Sequence, residues 1–195
     1  MDYGPGTALI VVDVQNDFAD PSGSLYVPDG EKAIGFINEQ VETAASAGSP
    51  LVYTQDWHPE STPHFEKDGG IWPVHCVVGT PGAELHPDLE VVDDAIRIRK
   101  GSGGEDGYSA FHVRDPETGE ETSTGLSEQL QEREIDRVVV VGLALDYCVK
   151  ETALDAARAG FATALLADGT RPVGLRPGDG TRAAAEMAAA GVEIV

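Results

Sequence analysis

Six stretches rich in apolar residues predict the strands of a β-sheet. Residues 7–12 and 138–141 are continuous apolar or β-branched runs, which are typical of strands covered on both faces. Shorter stretches predict the other four strands, at residues 51–54, 95–100, 162–167 and 192–195. In the stretch that ends at Lys100, apolar and basic residues alternate. Lys100 continues the alternate positions of Ile96 and Ile98, so it belongs to the same face of the strand. Its side chain is therefore expected to point inward.

Apolar residues at helical spacing occur between these strands. They predict helices at about residues 33–47, 126–133, 147–159 and 181–190. Strands that alternate with helices predict a doubly wound α/β fold with a mostly parallel sheet and right-handed crossovers. A length of 195 residues suits one domain with a full core.

Two long segments lack any periodic pattern. Residues 56–89 contain prolines, glycines, four histidines and several aromatic residues, so we expect an ordered loop that forms the wall of a site. Residues 114–125 are polar and acidic, and they are expected to form an exposed, solvated loop.

Composition narrows the class of protein. The formal net charge of −21 argues against nucleic acid or an anionic membrane as a partner, because phosphate would be repelled. The first apolar run is too short to span a bilayer and has no basic leader, so we expect a cytoplasmic protein. The two cysteines, Cys76 and Cys148, are not in a CxxC pattern and are expected to be reduced thiols. The sequence leaves open whether the protein forms a homo-oligomer.

The turn after the strand at residues 138–141 is a candidate for chemistry. Cys148 lies in the first turn of the following helix, with Asp146 as a candidate N-cap. The positive end of a helix favours the nucleophilic thiolate, and its free N–H groups can bind an oxyanion. Alternatively, Cys148 is a small buried side chain in the core.

Asp13 and Lys100 end two other predicted strands. Because the carboxyl ends of parallel strands line one crevice, both are expected to lie near Cys148. A carboxylate can take the thiol proton, the thiol can attack a carbonyl carbon, and an ammonium favours the negative charges. Alternatively, Asp13 caps a turn and Lys100 bends out to solvent.

A second group of polar residues follows the strand at residues 51–54. Oxygen and imidazole donors are provided by Asp56, His58, His64 and His75. This ligand set suits one divalent transition metal ion, with Zn²⁺ favoured and Mn²⁺ or Fe²⁺ as alternatives. Alternatively, these histidines are only solvated or hydrogen-bonded, the role assigned to His86 and His112. Cys76, next to His75, is an alternative thiolate ligand, but a buried structural role is favoured in a set of oxygen and imidazole donors.

Several blocks of sequence resemble the nicotinamidases (pyrazinamidase-like) of the isochorismatase-like cysteine hydrolase superfamily. The blocks are IVVDVQNDF at residues 10–18, TQDWHP at 54–59, WPVHCVVGTPGAEL at 72–85, KG at 100–101 and VVGLALDYCVKETALDA at 140–156. The resemblance implies a single hydrolase domain over residues 1–195, with a Rossmann-like sheet of strand order 3-2-1-4-5-6 and helices on both faces.

The same resemblance implies an activity. The expected reaction is the hydrolysis of nicotinamide to nicotinate and ammonia through a cysteine thioester, as part of NAD salvage, with pyrazinamide as a further substrate. The implied catalytic triad is Asp13, Lys100 and Cys148, with oxyanion donors at Ala144 and Cys148. The implied metal ligands are Asp56, His58 and His75, with His64 as an additional ligand in some members. Ring contacts are implied for Phe18, Trp72 and Tyr108. A cis peptide bond between Leu143 and Ala144 is also implied.

Three other functions remain open from the sequence. The first is a different hydrolase of the superfamily, acting on carbamoyl compounds or isochorismate. The second is a metal-binding scaffold without catalysis. The third is a thiol redox protein in which Cys76 would have to meet Cys148.

Overall fold

The computed structural model describes residues Met1–Val195 and contains a parallel sheet of six strands. Its strands are β1 (Thr7–Val12), β2 (Leu51–Asp56), β3 (Ile96–Lys100), β6 (Arg137–Leu143), β7 (Ala162–Arg171) and β8 (Glu193–Ile194). Their order is β3-β2-β1-β6-β7-β8. Two short strands, β4 (His112–Arg114) and β5 (Glu121–Ser123), lie outside this sheet. Counted along the chain without them, the order is 3-2-1-4-5-6, so the predicted fold is confirmed.

The two continuous apolar runs form the centre of the sheet. Every residue of β1 is buried, and β1 pairs with β6 in parallel through partners such as Ile10 and Val140. Alternate residues of β1 face two separate apolar cores, one on each face of the sheet. A strand with both faces covered has no polar side to expose, which explains its continuous apolar sequence.

Five helices pack on the two faces of the sheet. They are α1 (Asn16–Ala19), α2 (Gly30–Ser46), α3 (Leu126–Glu132), α4 (Lys150–Arg158) and α5 (Asp179–Ala189). The predicted stripe of α2, which includes Ile37 and Val41, belongs to one core, whereas Leu130 of α3, Ala153 of α4 and Met187 of α5 belong to the other. No helix has both the length and the apolar character needed to cross a membrane.

The prediction that residues 114–125 form a solvated loop is wrong in part. β4 (His112–Arg114) and β5 (Glu121–Ser123) form an antiparallel hairpin outside the main sheet. Its strands have three residues each, and those of β5 are exposed. Strands this short and polar have no apolar alternation, so they carry no recognisable pattern.

The start of the helix that carries Cys148 also differs from the prediction. Leu145–Val149 form a π-helical turn, and regular α-helix begins only at α4. Asp146 does not cap this turn, because its carboxylate instead accepts hydrogen bonds from the backbone N–H groups of Val173 and Gly174. The Leu143–Ala144 peptide bond is cis, as the resemblance implied.

Candidate active site

The carboxyl ends of three strands bring the predicted catalytic residues together. Asp13 follows β1, Lys100 ends β3, and Cys148 lies in the turn after β6. The Lys100 ammonium is 2.6 Å from Asp13 Oδ2, and both side chains are completely buried. Carboxylate oxygens of Asp13 and Asp56 lie within 4.8 Å of each other and of Cys148 Sγ. Lys100 therefore does not reach solvent, and a carboxylate, an ammonium and a thiol share one buried cluster.

Protein acceptors surround the Lys100 ammonium. Besides Asp13 it donates to the carbonyl oxygen of Gly107 at 2.5 Å and to that of Tyr108 at 3.4 Å, and it lies 3.2 Å from Asp56 Oδ1. Burial disfavours the charged ammonium, but Asp13 and Asp56 outweigh that effect and hold the pKa of Lys100 well above its usual value. Lys100 is thus a fixed positive charge.

Asp13 is held in place by its backbone and by Thr54. Its φ of 47° lies in the left-handed region, and the Thr54 hydroxyl donates to Asp13 Oδ1 at 2.5 Å. Burial raises the pKa of the Asp13 carboxyl and the nearby Asp56 adds to this, while Lys100 opposes both. A carboxyl whose protonated form is stabilised in this way is suited to taking up a proton and returning it.

The environment of Cys148 differs from the expectation of a thiolate stabilised by a helix end. Burial raises the pKa of the Cys148 thiol well above its usual value; the positive charge of Lys100 opposes this, and Asp13 and Asp56 add to the effect of burial. This shift favours the protonated thiol over the thiolate. Nucleophilic attack by Cys148 requires a base beside it.

The predicted metal ligands form a second buried cluster. One ring nitrogen each of His58, His64 and His75 lies within 4.8 Å of the others. Asp56 Oδ2 is 3.6 Å from Nε2 of His58 and 3.7 Å from Nε2 of His75, which is too long for hydrogen bonds. Burial disfavours ionised Asp56, but the Lys100 charge and the two imidazoles hold its pKa well below the usual value.

Buried ligand atoms that have no hydrogen-bond partner indicate whether this cluster fits a metal ion. Both ring nitrogens of His58 are buried without a hydrogen-bond partner, whereas Asp56 Oδ1 is paired with the Lys100 ammonium at 3.2 Å. By contrast, Nδ1 of His75 donates to the Pro73 carbonyl oxygen at 2.7 Å, and Nδ1 of His64 lies 3.0 Å from Asp106 Oδ1. A histidine that ligates a metal commonly uses its second nitrogen in this way. The residues present therefore fit a divalent transition metal ion.

The remaining histidines and Cys76 lie outside the cluster. His86 Nδ1 accepts from the backbone N–H of Asp88, and His112 lies 3.3 Å from Asp155 with a side chain that is 41% exposed. Cys76 is buried, and its thiol is 3.9 Å from the Gly82 carbonyl oxygen. These positions agree with the structural roles expected for them.

An apolar pocket connects the two clusters. Its walls include the predicted ring contacts Phe18, Trp72 and Tyr108 together with Leu25, Val27, Ala144, Tyr147 and Val173, and it also reaches Asp56, His64, His75 and Cys148. Trp72 Nε1 donates to the Tyr108 hydroxyl at 2.9 Å, and the indole packs edge to face on Tyr147 at 4.8 Å. A flat aromatic ligand would contact the thiol and the histidine cluster together.

Comparison with known proteins decides the family of this chain. The sequence matches the isochorismatase domain over residues 7–195. The chain belongs to the isochorismatase family. A nicotinamidase of Escherichia coli (strain K12) is 37% identical in an alignment 206 positions long, gaps included, which covers 97% of this chain and 94% of that protein.

Solved structures of the isochorismatase family superimpose closely on this chain. A pyrazinamidase of Pyrococcus horikoshii in complex with zinc is 40% identical, with a TM-score of 0.87 and coverage of 98% of this chain and 99% of that chain. The yeast nicotinamidase bound to the inhibitor nicotinaldehyde is 33% identical, with a TM-score of 0.88 and coverage of 97% and 99%.

In this isochorismatase-family chain, sequence reasoning missed residues that shape the site only through tertiary contacts. The Gln15 side chain donates to the Asp56 carbonyl oxygen at 2.7 Å and accepts from the Asp56 N–H at 2.8 Å. Tyr147 lines the pocket beside Cys148. Two signals could have pointed to them: Gln15 and Tyr147 lie close to Asp13 and Cys148 in the sequence, and both are within the blocks that resemble the nicotinamidases.

Proposed function

We propose that this chain is a nicotinamide amidohydrolase, a single-domain hydrolase that converts nicotinamide to nicotinate and ammonia and also accepts pyrazinamide. The proposal depends mainly on one observation: Cys148, which lies beside Asp13 and Lys100, lines the same apolar pocket as His64 and His75 of the histidine cluster. The nicotinamidases and pyrazinamidases among its relatives support this substrate class. The nicotinate formed would enter NAD salvage.

The first half of the reaction is acylation of Cys148. Asp13 accepts the thiol proton as sulfur attacks the amide carbon, because the raised pKa of Cys148 favours the thiol over the thiolate. The carbonyl π electrons move to oxygen, and the backbone N–H groups of Ala144 and Cys148 stabilise this oxyanion. The Ala144 N–H donates no hydrogen bond within the protein, so it remains available for the substrate.

Collapse of the tetrahedral species breaks the carbon–nitrogen bond. Asp13 returns its proton to the leaving nitrogen, which departs as ammonia and leaves a nicotinoyl thioester on Cys148. Water then attacks the thioester carbon while Asp13 accepts a proton from it, and the departing sulfur recovers that proton. Nicotinic acid and the free thiol result, and the acid ionises to nicotinate as its proton passes through solvent to ammonia.

Lys100 acts by its charge. Its donors are directed to Asp13 and to the Gly107 carbonyl oxygen, at 2.6 and 2.5 Å, so it holds Asp13 in place. The same positive charge stabilises the negative charge that develops on sulfur and oxygen during attack.

Asp56, His58, His64 and His75 would hold one divalent ion, for which the zinc complex of the P. horikoshii pyrazinamidase favours Zn²⁺. When bound, this ion supplies a Lewis-acidic position for the ring nitrogen of the substrate. Phe18, Trp72 and Tyr108 would contact the ring faces and edges, placing the carboxamide next to Cys148.

A coupled assay of ammonia and nicotinate tests the proposed function. The protein is stripped with a chelator, reloaded separately with Zn²⁺, Mn²⁺ or Fe²⁺, and incubated with nicotinamide. We expect the two products in equal amounts and a loss of activity in the stripped protein. Absence of both products with every metal would overturn the proposal.

A further inference from the structure

Asp106 is an acidic residue that touches the histidine cluster from outside. Its Oδ1 lies 3.0 Å from Nδ1 of His64. An ionised carboxylate only accepts hydrogen bonds, so the Nδ1–H of His64 must be the donor. The lone pair of His64 then lies on Nε2, the nitrogen that remains free for the other cluster members.

The position of Asp106 is itself fixed by the short hairpin. Its N–H donates to the Arg114 carbonyl oxygen at 2.7 Å, and the Arg114 N–H donates back at 3.0 Å. The Arg114 guanidinium lies 3.2 Å from Asp106 Oδ2, the oxygen that does not face His64. Each carboxylate oxygen thus has a separate partner, which leaves the Asp106 side chain little freedom to turn away.

We propose that Asp106 is a positioning residue for the metal site: it fixes the tautomer and orientation of His64 so that Nε2 is presented as the fourth protein donor, and Arg114 holds Asp106 in place. This inference rests on the proposed metal site. A carboxylate behind a ligating histidine raises its basicity and restricts its rotation, and loss of such a partner costs about 10–100-fold in metal affinity.

Zinc affinity of the metal-free protein, measured by competition with a chromogenic chelator, tests the role of Asp106 without any turnover. We expect Asp106→Ala to weaken Zn²⁺ binding about 10–100-fold and Asp106→Asn to weaken it less, because the amide oxygen can still accept from Nδ1–H. Glu105→Ala is the matched control, since it removes a neighbouring carboxylate whose hydrogen bond goes to the Gly103 N–H. The control should retain the wild-type affinity.

A double variant separates positioning of His64 from a general effect on the loop. If Asp106 acts through His64, His64→Ala and the combined His64→Ala, Asp106→Ala variant should bind Zn²⁺ equally weakly. The visible spectrum of the Co²⁺-substituted protein should change in the same way in both. Thermal unfolding of each metal-free variant shows whether its fold is retained.

Two outcomes would overturn the inference: one excludes only the role of Asp106, and the other also excludes the metal site. Wild-type zinc affinity in a folded Asp106→Ala variant, with weakened binding in His64→Ala, would exclude the positioning role and leave the metal site standing. Equal zinc binding by the wild type and by His58→Ala would instead overturn the metal site, and the role of Asp106 with it.

Discussion

Lys100 Nζ and Asp13 Oδ2 lie 2.6 Å apart with no solvent exposure of either side chain, although the two residues are 87 positions apart in the sequence. Removing one member of a buried ion pair leaves the other charge without compensation, which typically costs about 3–5 kcal/mol. We therefore expect Lys100→Met to lower the free energy of unfolding by about that amount and to abolish turnover.

Urea denaturation of the metal-free protein measures this effect. Lys67→Met is the control, because Lys67 forms an exposed pair with Asp68 at 2.8 Å. Surface pairs contribute about 0–1 kcal/mol. A loss of stability in Lys100→Met as small as that of the control would show that the buried charge pair does not stabilise the fold.

The orphaned ring nitrogens of His58 lead to a prediction about metal content. His58→Ala should lose tightly bound metal and most nicotinamide hydrolysis, because it removes a donor from the centre of the cluster. His86→Ala should retain both, since His86 is buried but its imidazole accepts a hydrogen bond only from the nearby backbone N–H of Asp88. Metal analysis by mass spectrometry after dialysis, together with kcat/KM, compares the variants. Full metal occupancy in His58→Ala would remove His58 from the ligand set.

Discrimination between nicotinamide and benzamide tests how the ring is recognised. The two rings have nearly the same shape, so the apolar contacts of Phe18 and Trp72 distinguish them weakly. Only the pyridine nitrogen can donate a lone pair to an ion held by the histidine cluster. A site built for a polar partner rejects analogues that lack it by about 10⁴–10⁵. We expect kcat/KM to favour nicotinamide by a factor of that order, whereas a ratio near one would exclude recognition of the ring nitrogen.

Much of the fold and of the candidate site could be predicted because local sequence carries the necessary signals. The continuous apolar runs of β1 and β6 indicate central strands, and parallel strands place their carboxyl ends at one edge of the sheet. Asp13 and Lys100 end two such strands, so their proximity followed from topology. The inward parity of Lys100 agrees with its complete burial.

Other features depend on contacts that local sequence does not encode. The hairpin of β4 and β5 has no apolar pattern, and the Asp106–Arg114 backbone pair beside it joins positions eight residues apart. Gln15 and Tyr147 act through neighbours distant in sequence. The raised pKa of the Cys148 thiol was not predicted, because its main cause is burial by residues that are distant in sequence.

The central claim is that Cys148 carries the acyl group, and hydroxylamine tests it most directly. A nicotinoyl thioester should react with hydroxylamine to give nicotinohydroxamate at the expense of nicotinate, and acid-quenched protein should carry the nicotinoyl group on Cys148 by mass spectrometry. Folded Cys148→Ala should give neither hydroxamate nor nicotinate. Undiminished release of nicotinate by that variant, or turnover by wild type with no hydroxamate and an unmodified Cys148, would contradict the covalent mechanism.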